Sequence, residues 1–385
     1  MKRILISILS DYLQPNFLLI KEFEGRYDRL AFITTKEMID KGKGHSLEKA
    51  LGLETDSVQR IEVIEDDYSD VTNKLEDCLF ARDDEYILNI TGGTKVIPIA
   101  VCDFFKNYNA QFYYVPIGKN VIRNIYSNET VPLKYRLNLD EYFTLYGLRY
   151  ECNNALMYPE SHTNDVFETF RKAKFNRHSP KVSILKNAQT LPDAKDRRYY
   201  AGVWFEEYCY NRLKREHSLP DDAICKDAFI YRDNSKNNDN EIDVMFLQNN
   251  QLYVFECKVG MTGYNSTKET IEKYQYKLAA IAKDLGLRVE SYILTLHKIF
   301  NNPKEFSELT IENIKKRQSI LGLRGIIDSV VFTRNEPLLE SIKYEMPKAT
   351  LPKRKMKVEE NTTKTNIITE IPKLPGVKVV GKIDL

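Results

Sequence analysis

The sequence predicts an α/β protein with a doubly wound, mainly parallel sheet in its first domain and a strand hairpin at the centre of a second α/β domain. Three observations support this prediction. Apolar runs alternate with helix-like segments through residues 1–150, as in sheets with crossover helices. Polar turns follow the first and the fourth of these runs. Acidic residues interrupt the apolar hairpin of residues 240–258 in the second half.

The first domain contains continuous apolar runs, which are typical of strands buried on both faces. The predicted strands are residues 3–9, 29–35, 59–64, 85–90 and 111–116, and the helices between them include residues 17–23, 46–51, 68–79 and 96–105. Short strands are also predicted at residues 121–126 and 133–137, before a helix over residues 139–147. We place the domain boundary near residue 150.

Two polar turns of this domain lie where open α/β sheets bind ligands, beyond the carboxyl ends of strands. One spans residues 10–16, and the other is the sequence NITGGTK at residues 89–95. Gly92 and Gly93 allow a ligand to approach the backbone, and the next helix offers free N–H groups to phosphate. The motif is neither a P-loop nor GxGxxG, so a tight turn without a ligand remains the alternative.

Residues 151–196 are polar, helical and broken by prolines, and we interpret them as a connector. The second domain, residues 197–335, has predicted helices at residues 199–210, 268–285 and 311–321, and predicted strands at residues 228–231, 241–247, 252–258, 290–295 and 328–333. Residues 336–385 contain several prolines and the basic run KRKMK. Their composition predicts a flexible extension.

The hairpin carries charged residues on strands that should be buried. Glu241 and Asp243 point to one face of the first strand, and Glu256 and Lys258 share a face of the second, with Cys257 turned away. Burying an unpaired carboxylate costs several kcal/mol, so these acids need a partner. A hard divalent cation, Mg²⁺ or Mn²⁺, is one such partner. The alternative is a solvated edge hairpin with a Glu256–Lys258 pair on its outer face.

The helix before the hairpin offers a further acid. Glu206 lies four residues after Gly202 and next to the buried face around Trp204, where it would reach a metal at the hairpin. The alternative is that Glu206 and Glu207 are both solvated.

The helix after the hairpin carries lysines and an aromatic residue, namely Lys268, Lys273, Tyr274, Gln275 and Lys277. These side chains either contact the backbone of a nucleic acid or form a solvated face.

The composition is that of an ordinary protein with substantial cores, at 42% hydrophobic and 29% charged residues. The net charge of +2 restricts any nucleic-acid contact to local patches. The six cysteines include no CxxC pair, which predicts reduced thiols and a cytoplasmic location. No apolar run has the length of a membrane span, so we expect no membrane partner, and we interpret residues 1–9 as a core strand and not a signal peptide.

A helix, a hairpin with D…ExK, a helix and a strand follow the order of the restriction-endonuclease-like PD-(D/E)xK core, with Asp243 and Glu256-Cys257-Lys258 at the signature positions. LSDYLQPN after the first strand, NITGGTK after the fourth and NEIDV…FECKVG together make residues 1–335 resemble CRISPR ancillary nucleases. In that family a Rossmann-like CARF (CRISPR-associated Rossmann fold) domain is fused to a PD-(D/E)xK nuclease domain.

The resemblance implies a homodimeric enzyme of type III CRISPR defence. Its expected activator is a cyclic oligoadenylate, specifically cyclic tetra-adenylate. The resemblance further implies cleavage of DNA, RNA or both with little sequence preference. The ligand residues that it implies here are Ser10, Asp11, Gln14, Asn16, Thr91, Gly92, Gly93, Thr94 and Lys95. The nuclease residues that it implies are Glu206, Asp243, Glu256 and Lys258.

These roles give a mechanistic expectation. Asp243 and Glu256 would hold Mn²⁺ or Mg²⁺, with the Cys257 backbone carbonyl as a further ligand and Glu206 and Glu241 in support. Lys258 would orient the attacking water or stabilise the charge that develops on the phosphate. Activation is expected as a population shift that reaches the nuclease domains through the connector.

Two alternatives belong to other classes of protein. CARF-like domains also occur on ligand-sensing transcriptional regulators without nuclease activity, but residues 197–335 show no helix-turn-helix pattern. A metal-independent ribonuclease of the HEPN type needs R-x-x-x-x-H, which Arg212 and His217 formally supply. We expect that charged run to face solvent.

Overall fold

The structure, a computed structural model, describes residues 1–176, 178–232, 240–261 and 266–339. Within these ranges the strands form two sheets, one of seven strands and one of six. Nearly all of the predicted extension, residues 336–385, lies outside the described residues.

The first sheet has the strand order β3-β2-β1-β4-β5-β6-β7. Its strands are β1 (Arg3–Ile8), β2 (Arg29–Thr34), β3 (Gln59–Glu62), β4 (Glu85–Asn89), β5 (Asn109–Tyr114), β6 (Val121–Asn124) and β7 (Thr130–Pro132). The first five pair in parallel, and β6 and β7 are antiparallel. The predicted doubly wound sheet is confirmed, although its last strand is β7 and not residues 133–137.

Helices cover both faces of this sheet, as crossover connections require. They are α1 (Gln14–Glu22), α2 (Lys36–Asp40), α3 (Lys43–Leu51), α4 (Tyr68–Asp77), α5 (Val96–Phe105) and α6 (Leu139–Leu145). Several start at side-chain caps, which satisfy free N–H groups of the first turn. Asn138 and Glu141 form a capping box at the start of α6, and this cap fixes the point where the chain leaves the first sheet.

The second sheet has the order β13-β12-β11-β10-β9-β8. Its strands are β8 (Leu148–Glu151), β9 (Ile224–Arg232), β10 (Asn240–Gln248), β11 (Gln251–Lys258), β12 (Glu290–Thr295) and β13 (Gly325–Ile327). β8 to β11 are antiparallel, and β11, β12 and β13 are parallel. Strand β8 therefore already belongs to the second sheet, at the point where we predicted the domain boundary.

The helices around the second sheet are α7 (Glu160–Lys172), α8 (Ser183–Lys186), α9 (Ala194–Arg198), α10 (Trp204–Glu216), α11 (Thr267–Asp284), α12 (Glu308–Ile320) and α13 (Ser329–Arg334). One π-helical turn precedes α10. Rings of α7 pack on α10, with the centroids of Phe167 and Tyr208 3.8 Å apart. Much of the predicted connector thus lies against the second sheet through α7.

The predicted last strand, residues 328–333, is wrong, because the chain forms α13 there. The Asp328 carboxylate explains the difference, since it accepts a hydrogen bond from the Val330 backbone N–H at 3.0 Å and caps the helix. Its other oxygen accepts from the N–H groups of Ile299 and Phe300. A buried cap with three donors outweighs the strand preference of the β-branched residues that follow.

One hydrophobic core is shared by the two sheets. It contains Leu5 and Phe17 of the first domain, Tyr142 of α6, and Met245 and Leu252 of the hairpin. Separate cores cover the outer faces of the first and second sheets. No helix among the described residues is long and apolar enough to cross a membrane.

Candidate functional sites

The four predicted nuclease residues lie at one end of the β10–β11 hairpin, and we call this set, Glu206, Asp243, Glu256 and Lys258, the nuclease centre. The Lys258 ammonium is 2.9 Å from Asp243 Oδ2 and 2.7 Å from Glu256 Oε1. The Cys257 backbone N–H also donates to Asp243 Oδ2, at 2.6 Å. Asp243 is 7% exposed and Glu256 is 1% exposed. The hairpin end is therefore a buried charge cluster, and the alternative of a solvated Glu256–Lys258 pair is wrong.

The helix α11 supplies a second lysine to this cluster. Lys277 Nζ lies 3.1 Å from Glu256 Oε1 and 3.0 Å from Oε2. Lys258 Nζ also lies over the Tyr274 ring, 5.4 Å from its centroid. Gln275 is buried and donates to the Ile314 carbonyl at 3.2 Å. The predicted solvated face therefore does not include Gln275, whereas Lys277 is exposed and its ammonium reaches Glu256 from that face.

Glu206 stands in the first turn of α10 with its side chain half-buried. It forms no hydrogen bond with the described part of the chain. Burial, followed by the nearby Asp243 carboxylate, raises the pKa of Glu206 to about 8. The neighbouring Glu207 is fully buried, where it accepts from the Met157 N–H at 2.6 Å and lies 3.8 Å from Lys226 Nζ. The alternative of two solvated glutamates is wrong.

Asp227 is an acid of this cluster that the sequence analysis missed. It lies in β9, where the register pairs Ala228 with Ile242 and Lys226 with Val244, so that Asp227 faces Asp243 across the ladder. Its backbone φ is +46° inside a strand, which is rare for a residue other than glycine. Asp227 is 7% exposed, and its charge raises the pKa of Glu206. The sequence KDA at residues 226–228, inside an apolar run, was the signal that could have identified this acid.

The electrostatic balance of the centre favours a cation. Burial, followed by the Glu256 carboxylate, raises the pKa of Asp243 to about 6. Burial acts to lower the pKa of Lys258, but Asp243 and Glu256 outweigh it and the pKa is raised. A raised carboxyl pKa means that nearby positive charge does not fully offset the cost of burying the carboxylate. This is so here although Lys258 lies between two of the carboxyl groups.

Carboxylate oxygens are the ligands that a hard divalent cation prefers, and Glu206 adds a half-buried carboxylate that forms no hydrogen bond with the described residues. Across residues 1–176, 178–232, 240–261 and 266–339, however, no three acidic, histidine or cysteine side chains converge as metal ligands. In this arrangement the carboxylate oxygens of Glu256 contact the ammonium groups of Lys258 and Lys277 instead. Lys258 Nζ also lies 3.2 Å from the Cys257 carbonyl, a predicted ligand. Glu241, another predicted ligand, is exposed.

The ligand crevice, defined as the turns of residues 10–16 and 89–95, lies at the carboxyl ends of β1 and β4. These strands are neighbours in the sheet although β2 and β3 separate them in sequence, which makes this the topological switch point. Ser7 Oγ joins the two turns, since it accepts from Asn16 Nδ2 at 2.8 Å and from Asn89 Nδ2 at 3.0 Å. Asn16 is 0% exposed, so its side chain shapes the crevice from behind.

The second turn of the crevice is held tightly against the end of β1, the strand that leads into the first turn. A Cβ at Gly92 would lie 2.1 Å from the Ile8 carbonyl oxygen, and Gly93 has φ +80°. Thr91 Oγ1 donates to Asn89 Oδ1 at 2.7 Å and accepts from the Val115 N–H at 2.9 Å. The Thr94 hydroxyl donates to the Glu65 carbonyl at 2.5 Å, and Lys95 is exposed where α5 begins.

The first turn of the crevice holds two lysines that the sequence analysis did not single out. Ser10 Oγ donates to the Tyr12 carbonyl at 3.2 Å. The exposed Asp11 carboxylate is 2.9 Å from Lys41 Nζ, and Lys43 Nζ donates to the Asp11 carbonyl at 2.8 Å. The run KGKGH at residues 41–45 was the signal that could have identified these cations.

Comparison with known proteins finds two family models. One, described as the Card1 CARF domain, matches residues 4–142, and the other, the Card1-like endonuclease domain, matches residues 193–309. Together they cover about two thirds of the chain. The chain belongs to the Card1-like CARF nucleases. A search of the curated proteins finds none that matches.

Solved structures share the fold of this CARF nuclease. Can2 from Sulfobacillus thermosulfidooxidans in complex with cyclic tetra-adenylate superposes with a TM-score of 0.68 at 19% identity, covering 88% of this chain and 100% of that one. Protein VC1899 from Vibrio cholerae gives 0.65 at 17%, covering 86% and 95%. A type III CRISPR defence DNA nuclease activated by cyclic oligoadenylate gives 0.52 at 14%, covering 83% and 52%.

The alternatives from other classes find no support in the CARF nuclease. The endonuclease match occupies the second domain, where a transcriptional regulator would carry a DNA-binding helix pair. The expectation that Arg212 faces solvent is wrong, since Arg212 is 4% exposed, bonded to Glu216 at 2.7 Å and placed over the rings of Tyr208 and Phe332. Arg212 is thus a packed residue of the α10 interior.

Proposed function

We propose that this CARF nuclease is a metal-dependent endonuclease of type III CRISPR antiviral defence that cyclic oligoadenylate, specifically cyclic tetra-adenylate, activates. It acts as a homodimer and cleaves DNA, RNA or both with little sequence preference. The observation that carries the proposal is the presence in one chain of a switch-point crevice with phosphate-type donors and a buried D…ExK centre. The free thiols at Cys209, Cys225 and Cys257 support a cytoplasmic location.

In this proposal Asp243 and Glu256 would hold Mg²⁺ or Mn²⁺, and Glu206 would complete the carboxylate set. The chemistry that a bound divalent cation supplies is activation of water and neutralisation of phosphate charge. Lys258 stays bonded to Asp243 and directs its ammonium toward the charge that develops on the scissile phosphate. Glu206, whose pKa is raised to about 8, holds a proton near neutral pH and would have to lose it to serve as a metal ligand. Lys277 must leave Glu256 for the carboxylate to act as a ligand.

In the crevice the ring phosphates of the activator meet the N–H groups at the start of α5 and the cations of Lys95, Lys41 and Lys43. Asp11 holds the last two lysines in place. Gly92 lies against the Ile8 carbonyl, so the turn of residues 89–95 is held next to the strand that leads into the first turn. The similarity of fold to Can2, which is described in complex with cyclic tetra-adenylate, supports the choice of ring.

The proposal is tested by cleavage of labelled single-stranded DNA, duplex DNA and RNA, each with cyclic tri-, tetra- or hexa-adenylate and with Mn²⁺ or EDTA. We expect cleavage only with the tetra-adenylate ring and Mn²⁺. The double variant Glu256→Ala, Lys258→Ala should be inactive with every substrate. Cleavage that survives in this variant refutes the site, and the absence of activator-dependent cleavage of any substrate by the wild type refutes the function.

A further inference from the structure

The turn of the catalytic hairpin is built into the CARF domain. This turn, Asn249 and Asn250, joins β10 to β11 at the end opposite to the nuclease centre. Both residues have left-handed backbone conformations, with φ of +53° and +61°, as a two-residue type I′ hairpin requires. Asn250 is 6% exposed, which is unusual for the tip of a hairpin and results from its contacts with the first domain.

Asn250 uses its side-chain amide and its backbone for four hydrogen bonds across the domain boundary. Its Nδ2 donates to Asn120 Oδ1 at 2.9 Å and to the Tyr135 carbonyl at 3.1 Å. Its Oδ1 accepts from the Leu137 N–H at 2.9 Å, and its carbonyl accepts from Gln14 Nε2 at 2.6 Å. The Asn249 carbonyl accepts from Asn120 Nδ2 at 2.7 Å. A buried amide with this many partners fixes the turn to the CARF domain.

Gln14 ties this contact to the ligand crevice. It belongs to the first crevice turn, and its amide reaches the hairpin directly. A cavity of about 280 Å³ lies beside the contact and is lined by Tyr12, Gln14, Lys119 and Asn250, among others. The cavity leaves room for the crevice turn to shift without displacing a packed side chain.

The hairpin itself reaches from this contact to the chemistry. Asn250 and Glu256 are six residues apart in sequence, which is about 20 Å of extended strand. The two strands are paired along this length, from Gln248 with Gln251 to Val244 with Phe255. A paired, buried hairpin transmits a displacement of its turn to its far end better than a chain of exposed loops.

We propose that Asn250 is a positioning residue that couples the ligand crevice to the nuclease centre through the β10–β11 hairpin. The inference rests on the proposed activation by cyclic oligoadenylate. A ligand that moves the first crevice turn pulls on Gln14 and Asn250, and the hairpin carries the displacement to Asp243, Glu256 and Lys258. The expected route through residues 151–196 is then unnecessary, because the CARF domain touches the catalytic strands directly.

The experiment compares the full-length wild type with Asn250→Gly and the matched control Asn249→Gly. Glycine accepts the left-handed conformation at both positions, and the Asn249 side chain forms no hydrogen bond with the described residues. Cleavage of labelled DNA and RNA is measured with Mn²⁺, with and without cyclic tetra-adenylate. Binding of the ring is measured by calorimetry, and hydrogen exchange is followed in β10 and β11.

We expect Asn249→Gly to behave as the wild type. Asn250→Gly should bind cyclic tetra-adenylate and cleave without activator to within about twofold of the wild type, but lose about tenfold or more of the stimulation. The ring should change hydrogen exchange of the hairpin in the wild type and not in Asn250→Gly. This second measurement separates coupling from a loss of folded protein.

Three outcomes overturn the coupling, namely full stimulation of Asn250→Gly, an equal loss of its basal and stimulated cleavage, or loss of ring binding. A wild type that binds the ring and is stimulated keeps the proposed function intact in each of these cases. A wild type that no cyclic oligoadenylate stimulates refutes the proposed function, and the coupling with it.

Discussion

The Lys277 ammonium lies 3.0 Å from Glu256 Oε2 and 3.1 Å from Oε1. A lysine of helix α11 therefore contacts both oxygens of a carboxylate that is expected to bind metal. Lys258 contacts the same carboxylate at 2.7 Å. Glu256 is therefore paired with two lysine ammonium groups although it is only 1% exposed. This relationship means that cation binding at the nuclease centre competes with a protein ammonium.

Removing Lys277 should accordingly strengthen cation binding. In Lys277→Met we expect the Kd of Mn²⁺ to fall by about threefold or more, since Glu256 no longer has to exchange the Lys277 ammonium for the ion. Titration followed by calorimetry measures this. The control is Lys268→Met on the same helix, where the lysine pairs with Glu272 at 4.0 Å. An unchanged or higher Kd in Lys277→Met contradicts the competition.

Lys258→Met should abolish catalysis and lower stability. Two adjacent carboxylates, Asp243 and Glu256, would lose their shared ammonium, which costs about 3 kcal/mol in the free energy of unfolding for a buried pair. Cleavage should drop by about 100-fold or more. Chemical denaturation and cleavage assays test both expectations, with the exposed Lys283→Met as the control. A stable, active Lys258→Met would remove this lysine from the mechanism.

The stability of the metal-free protein should fall with rising pH because of Glu206. Its pKa is raised from 4.5 to about 8, so the native state favours the protonated form. The stabilisation is complete below pH 4.5, the unfolded value, and is lost as the pH rises through about 8. Ionisation of Asp243, with its pKa raised to about 6, adds to the loss.

Glu206→Gln should therefore unfold at a higher temperature than the wild type at pH 8.5 and at nearly the same temperature at pH 5. At pH 8.5 the free energy of unfolding of the variant is expected to exceed that of the wild type by on the order of 2 kcal/mol, allowing for the partial exposure of the Glu206 side chain. Thermal unfolding in EDTA at the two pH values measures it. An equal effect at both pH values would show that ionisation of Glu206 is not its cause.

Gly92→Ala should damage the crevice, because its Cβ would meet the Ile8 carbonyl oxygen at 2.1 Å. Backbone cannot move aside as a side chain does, so we expect a loss of about 2 kcal/mol or more in stability and weaker binding of cyclic tetra-adenylate. The control is Gly202→Ala, where nothing lies within 4 Å of the added Cβ. Denaturation and calorimetry compare the two variants. Equal behaviour would show that the turn of residues 89–95 is not held against the end of β1 at Ile8.

Local sequence patterns predicted much of the architecture because they depend on short-range rules. The apolar runs of β1 and β4 and the glycine turn before α5 were predicted from burial and turn chemistry. The acids of the hairpin could be singled out for the same reason, because burying a carboxylate in a strand costs free energy wherever the strand is placed. The misassigned residues 328–333 show the limit, because the Asp328 cap depends on a distant loop at Ile299 and Phe300.

The sequence by itself was enough to predict that Asp243, Glu256 and Lys258 share one end of the hairpin and that polar turns end two strands of the first sheet. Only the tertiary structure decided the partners of those residues. Lys277 reaches Glu256 across 21 positions and Gln14 reaches Asn250 across 236. Periodicity records the face on which a side chain lies but not the element that packs against that face. The competition at the nuclease centre and the link to the crevice therefore became visible only in the folded chain.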